Sequence, residues 1–132
     1  MSFVVPIGRL LFSWIFLKTI VGHFKHTAIA MAESKGLPMA AFLVPASGVL
    51  AFVGGLSISL GFHSKIGAWL IVLFLVPVTF IMHAFWKETD HHHMQTQLTN
   101  FTKNMALLGA ALLITWFGSG PISLDEWIAS RK

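Results

Sequence analysis

Apolar residues run in four blocks along this chain, and polar residues fall between the blocks or at their ends. The blocks are roughly Val4–Phe24, Met39–Phe62, Ile66–Trp86 and Leu98–Gly118. Each is about 20 residues, which at ~1.5 Å per residue makes ~30 Å of helix, the thickness of a bilayer's hydrocarbon core. Inside lipid a backbone must satisfy its own hydrogen bonds, so the blocks are helices. They are too long and too rich in leucine for barrel strands. The pattern predicts an all-α polytopic membrane protein. One domain over residues 1–132 forms an antiparallel bundle of four transmembrane helices.

Successive spans alternate in direction. The end of the first, the end of the third and the start of the fourth therefore meet on one side of the membrane. Polar residues gather there: His23, Lys25 and His26, then His83, Trp86 and the run His91-His92-His93, then Gln97, Asn100, Lys103 and Asn104. This end is the candidate site. Gln97, Asn100 and Asn104 share one face of span four, because offsets of three and seven residues return to nearly the same helical angle. Imidazoles such as His23 and His83 can ligate haem or metal, bond a quinone carbonyl or shuttle protons. A quinone at His83, with Asn104 or Gln97 as further partners, is one candidate ligand. A haem between His23 and His83 is another. The structural alternatives are an interfacial histidine bonded to water or backbone, and amides that staple helices together. The histidine run reads as a solvated loop, since adjacent imidazoles do not converge on one ion, and no metal ligand set is assigned.

Within the blocks, Ser47, Ala51, Gly55 and Ser59 step by four residues along span two, with Gly48 and Gly54 beside them. Such small-residue stripes let helix backbones approach closely. Gly109 offers the same in span four. Pro45 and Pro77 are expected to kink their helices. Trp69 and Trp86 read as anchors at the two membrane surfaces. Arg9 is expected to reach the headgroups by snorkelling. Lys18 lies deeper, either snorkelling or pairing with a ligand anion, and the helical wheel separates it from His23. The stretch Lys25–Pro38 predicts a short amphipathic helix in the interface plane. The tail Pro121–Lys132 predicts a short interfacial segment.

Composition sharpens this picture. Of 132 residues, 55% are hydrophobic and 11% charged, against about 25% charged in a soluble domain. The net charge of +4 comes from basic residues scattered singly along the chain. Nucleic-acid binding needs a clustered basic face, so it is excluded. The absence of cysteine excludes disulfides and thiolate catalysis in this chain. The acids Glu33, Glu88, Asp90, Asp125 and Glu126 all fall in loops or the tail, whereas an ion or proton pump usually needs one mid-span. Ala28-Ile29-Ala30 looks like a signal-cleavage site, but Lys18, His23 and His26 interrupt its approach, and the segment is expected to stay uncleaved. The balance of Arg9, Lys65, Arg131 and Lys132 against Lys25, Lys35 and Lys87 leans toward both termini in the cytoplasm.

Several of these residues together resemble one family. Gly22-His23 closes the first helix and Ser34-Lys35-Gly36-Leu37-Pro38 follows. Gly48 and Gly54-Gly55-Leu56 lie in span two, and His83-Ala84-Phe85-Trp86 closes span three. Gln97, Asn100-Phe101-Thr102-Lys103-Asn104 and Gly109 lie in span four. The chain resembles the DoxX family of small four-helix bacterial membrane proteins. The resemblance implies a bundle in the bacterial inner membrane. It implies a role beside quinone-linked or oxidative-stress redox complexes, as a non-catalytic accessory subunit touching other membrane subunits or a second copy of itself. Similar sequences often carry a Glu just before the Gly-Gly pair of span two, where this chain has Ala51. A membrane oxidoreductase binding quinone or haem directly, and a small transport protein, are the alternatives.

Overall fold

The computed structural model describes residues 1–132, and the fold is all-helical. Its elements are α1 (Val4–His23), α2 (His26–Ser34), α3 (Ala40–Leu60), α4 (Ser64–Met82), a 3-10 turn (Phe85–Lys87), α5 (His91–Phe117) and α6 (Leu124–Ala129). Three helical segments, Val4–His23, Ala40–Leu60 and Ser64–Lys87, are long and apolar enough to cross a membrane. The fourth long helix, α5, has 27 residues. Its first half is polar, and it is not among the three segments apolar enough to cross.

α1 packs on α3, α3 on α4 and α4 on α5, while α1 and α5 share no interface of that size. One apolar core unites them: Phe16 of α1, Ala51 and Ile58 of α3, Ala68, Ile71, Phe74 and Leu75 of α4, and Ala111 of α5. A smaller cluster of Ala32, Ala40 and Val44 seats α2 on the start of α3. Large apolar side chains such as Leu11, Trp14, Leu73 and Trp116 point outward, as lipid-facing positions do.

Glycine sets the helix spacing. A Cβ on Gly54 would lie 2.8 Å from the backbone oxygen of Gly67, so α3 and α4 touch nearly backbone to backbone. A Cβ on Gly55 would lie 3.0 Å from Cβ of Phe16, which fixes α1 against α3. The buried positions of α3 are Ala40, Val44, Gly48, Ala51, Gly54, Gly55 and Ile58. Ser47 and Ser59, the ends of the expected stripe, are only half-buried. A strict four-residue step advances ~40° per repeat on a helix of 3.6 residues per turn, so the row winds out of the core at both ends. Gly109 faces outward, and a Cβ there would meet nothing within 4 Å.

Four further boundaries or placements differ from the sequence expectation. α4 ends at Met82, so His83 caps it and Trp86 lies in the 3-10 turn beyond. α5 begins at His91, because the Asp90 carboxylate accepts a 3.0 Å hydrogen bond from the backbone amide of His93 and caps the helix. The histidine run is therefore the exposed first turn of a helix, not a loop. Arg9 does not reach for headgroups but is 94% buried, at 6% relative exposure. The tail does not merely rest on a surface, since it docks on Arg9 and on the α3–α4 turn.

Candidate functional site

A cavity with a mixed apolar and polar wall lies at the end where α1 and α4 finish. It has a volume of about 620 Å³ and draws wall residues from α1, α2, α3, α4 and α5, within the range of about 300–1,000 Å³ typical of ligand pockets. Most of the wall is apolar, including Ile15, Phe16, Leu37, Val44, Phe74, Leu75, Val78 and Leu107. Its polar members are Lys18, Thr19, His23, Lys25, Ser47, His83, Lys103 and Asn104. No Asp or Glu lines it. α1 and α5 both form wall without packing extensively on each other, so the bundle is least closed between them.

Several of the polar side chains are held by their own helix, and His83 is held by a neighbouring one. Nδ1 of His23 stands 2.9 Å from the carbonyl oxygen of Thr19 one turn earlier. The ring sits edge-on to Phe74, with centroids 5.7 Å apart. Gly48 makes room for it, as a Cβ there would fall 2.5 Å from Cβ of His23. Nδ1 of His83 stands 2.8 Å from Oε1 of Gln97. An oxygen of either kind only accepts, so Nδ1 carries the proton in both histidines, and Nε2 of each neutral ring is an acceptor. Asn104 is buried at 6% exposure and reaches the cavity from α5. Nζ of Lys103 donates to Oδ1 of Asn100 at 3.3 Å.

The structure thus brings His23, His83, Lys103 and Asn104 to one cavity wall. Gln97 acts behind His83, and Asn100 behind Lys103. Trp86 lies elsewhere: it is half-exposed and stacks with Phe80, Phe85 and Phe101 at centroid distances of 6.5, 5.2 and 5.9 Å. Lys18 lines the same cavity as His23 although the helical wheel separates them. Just outside it, Lys35 pairs with Glu88 at 3.4 Å and ties the α2–α3 loop to the 3-10 turn.

These helices are where the comparisons with known proteins fall. The DoxX family model matches residues 4–84, from the start of α1 through the cap of α4. The chain belongs to the DoxX family. It is 32% identical to the inner membrane protein YphA of Escherichia coli K12 over 93 residues, covering 70% of this chain and 66% of YphA. It is 29% identical to the inner membrane protein YqjF of the same organism over 99 residues, covering 75% of this chain and 70% of YqjF. No solved structure matches the chain. The DoxX match takes in His23 and His83, while Gln97, Asn100, Lys103 and Asn104 lie beyond it on α5.

A second polar cluster of this DoxX protein, at the opposite end, went unnoticed in the sequence. The Arg9 guanidinium donates to the carbonyl oxygens of Ser119 and Ile122. Asp125 accepts from the Ser119 hydroxyl at 2.5 Å and from the backbone amide of His63 at 3.0 Å. The Ser64 hydroxyl is 2.7 Å from that of Ser119, and it must be the donor, since the single Ser119 proton goes to Asp125. These bonds hold the Asp125 carboxyl below its usual range, the Ser119 hydroxyl contributing most. The cluster clasps α6 to α1 and to the α3–α4 turn. The signal available was Arg9 itself, a charge more than one turn inside an apolar block.

Proposed function

We propose that this chain is a four-span inner-membrane protein that serves as an accessory subunit of a quinone-linked redox complex. Its cavity holds an amphipathic molecule taken from the bilayer. The observation that carries this reading is the cavity itself: a largely apolar chamber with basic, imidazole and amide side chains in its wall and its least closed side between α1 and α5. A head rests against His83, Lys103 and Asn104, and the apolar remainder lies along Leu75, Val78 and Leu107. α5 completes the bundle as the fourth span, entering with its polar half at the cavity end. Both termini face the cytoplasm in this arrangement.

A second reading, an oxidoreductase that binds quinone directly, draws on the donors in the same wall. Asn104 and Lys103 supply N–H groups that a quinone carbonyl accepts, and the lining suits an isoprenoid tail. A quinone would bring the redox chemistry, and the residues would hold and orient it.

Native mass spectrometry of protein extracted gently from its own membrane tests both. Retention of one amphiphile together with a second membrane subunit supports the accessory role. A retained quinone with no partner subunit supports the second reading. His83→Ala and Asn104→Ala are expected to accumulate normally but lose the bound molecule. Undiminished retention in both variants would remove these residues from the site.

A further inference from the structure

We infer that the cavity takes an anionic phospholipid whose head carries free hydroxyls, the chemistry of phosphatidylglycerol. This rests on the reading of the cavity as a seat for an amphipathic molecule, and it names the head.

The charge of the wall comes first. Lys18, Lys25 and Lys103 line the cavity, and no acidic side chain does. The ion pairs of the chain are Lys35 with Glu88 and His93 with Asp90, so none of the three cavity lysines has an acidic partner. Uncompensated ammonium groups beside an apolar chamber attract an anion more strongly than they would in water. Lysine binds phosphate well as a point charge. A neutral quinone leaves all three lysines unanswered. A zwitterionic head brings its own ammonium toward a wall that is already positive.

The acceptors come second. His23 and His83 each commit Nδ1–H to an oxygen, the Thr19 carbonyl and the Gln97 amide. In a neutral ring Nε2 is then an acceptor with no hydrogen-bond partner from the chain, open to a donor on the ligand. Glycerol hydroxyls are such donors, and a quinone carbonyl is not. The apolar wall accepts an acyl chain. The gap between α1 and α5 lets the lipid enter sideways from the bilayer without leaving it.

The test is native mass spectrometry of the full chain in a neutral detergent, with phosphatidylglycerol and phosphatidylethanolamine of identical acyl chains added together. One phosphatidylglycerol is expected to be retained in preference, and Lys18→Gln and Lys103→Gln each lower that preference about fivefold. Both lysines are exposed on their helices, so the variants keep the fold, which circular dichroism checks. Ser47→Phe, which fills the chamber, removes binding of either lipid if the chamber rather than the protein's outer surface is the seat. Phosphatidylmethanol keeps the single negative charge of the phosphodiester without the head hydroxyls and is expected to bind more weakly, a difference that His83→Phe abolishes. Equal retention of the first two lipids overturns the anionic head and leaves the cavity reading standing. A preference that survives both lysine substitutions overturns the inference as well. Equal binding of phosphatidylmethanol and phosphatidylglycerol overturns the hydroxyl assignment. Retention of no lipid overturns the cavity reading itself.

Discussion

The imidazole of His83 and the amide of Gln97 meet at 2.8 Å, joining the cap of α4 to the polar half of α5 across the segment that carries the 3-10 turn. His83 is the point where α4 stops, with its φ at −115° and ψ at 37°. Its side chain and not the helix ladder carries the link forward. Gln97→Leu removes the acceptor while keeping the bulk. It is expected to lower stability by about 1 kcal/mol, as loss of one side-chain hydrogen bond does. Thermal unfolding in detergent measures this, and an unchanged midpoint would mean the contact constrains nothing.

The sequence reading located this end of the molecule from topology alone, and for a physical reason. Lipid forbids polar side chains along most of a span, so those that remain concentrate where helices end. His23, His83 and Asn104 were legible on that ground. What stayed hidden depends on rotation and on chain returning to the bundle. Lys18 shares the cavity with His23 although the helical wheel parts them, and the close approach of His23 depends on the missing Cβ of Gly48 on another helix. Arg9 finds its partners at Ser119 and Ile122, more than 100 residues away, and nothing local announces so distant an acceptor. Trp86 lies among Phe80, Phe85 and Phe101 because α4 ends early and the chain turns.

Arg9→Met keeps a long side chain at the buried position and deletes the donors. The carbonyls of Ser119 and Ile122 then lose their partners, at a cost of about 1–3 kcal/mol each where water cannot reach them. The expected result is release of the segment after Gly118, seen as faster amide exchange in α6 while α3 and α4 stay protected. Uniform exchange across the chain would mean that Arg9 stabilises the whole bundle rather than the clasp.

Asp125 makes the same clasp sensitive to pH. Its carboxyl titrates below the usual range because the charged form accepts bonds from the Ser119 hydroxyl and the His63 amide. A depressed folded-state value means that the carboxylate's contribution is fully present above the ordinary value of an unfolded aspartate, about 4. It is lost as pH falls through the lower folded-state value. Protection of α6 is therefore expected to fall on acidification below pH ~4, and Asp125→Asn is expected to show weak protection with no such dependence. A wild-type profile that Asp125→Asn reproduces would assign the titration to another group, such as Glu126.

The glycines separate packing from propensity. Gly54→Ala places a methyl 2.8 Å from the backbone oxygen of Gly67, which no side-chain rotation can relieve, so α3 and α4 must move apart. A cost of about 1–3 kcal/mol is expected, typical of overpacking. Gly109→Ala meets nothing within 4 Å, and alanine's better helix propensity should leave α5 equal to wild type or up to about 1 kcal/mol more stable. Gly48→Ala tests how packing reaches the cavity. Its methyl would fall 2.5 Å from Cβ of His23, an atom fixed to the backbone of α1. Relief requires α1 itself to shift, which moves Thr19, Lys18 and His23 together. Gly48→Ala should therefore weaken ligand retention more than its loss of stability accounts for, whereas Gly54→Ala, remote from the cavity wall, should cost stability and retain the ligand. Both quantities come from the same samples by thermal unfolding and native mass spectrometry. Equal ligand loss in the two variants would show that retention follows overall stability and not the seating of His23.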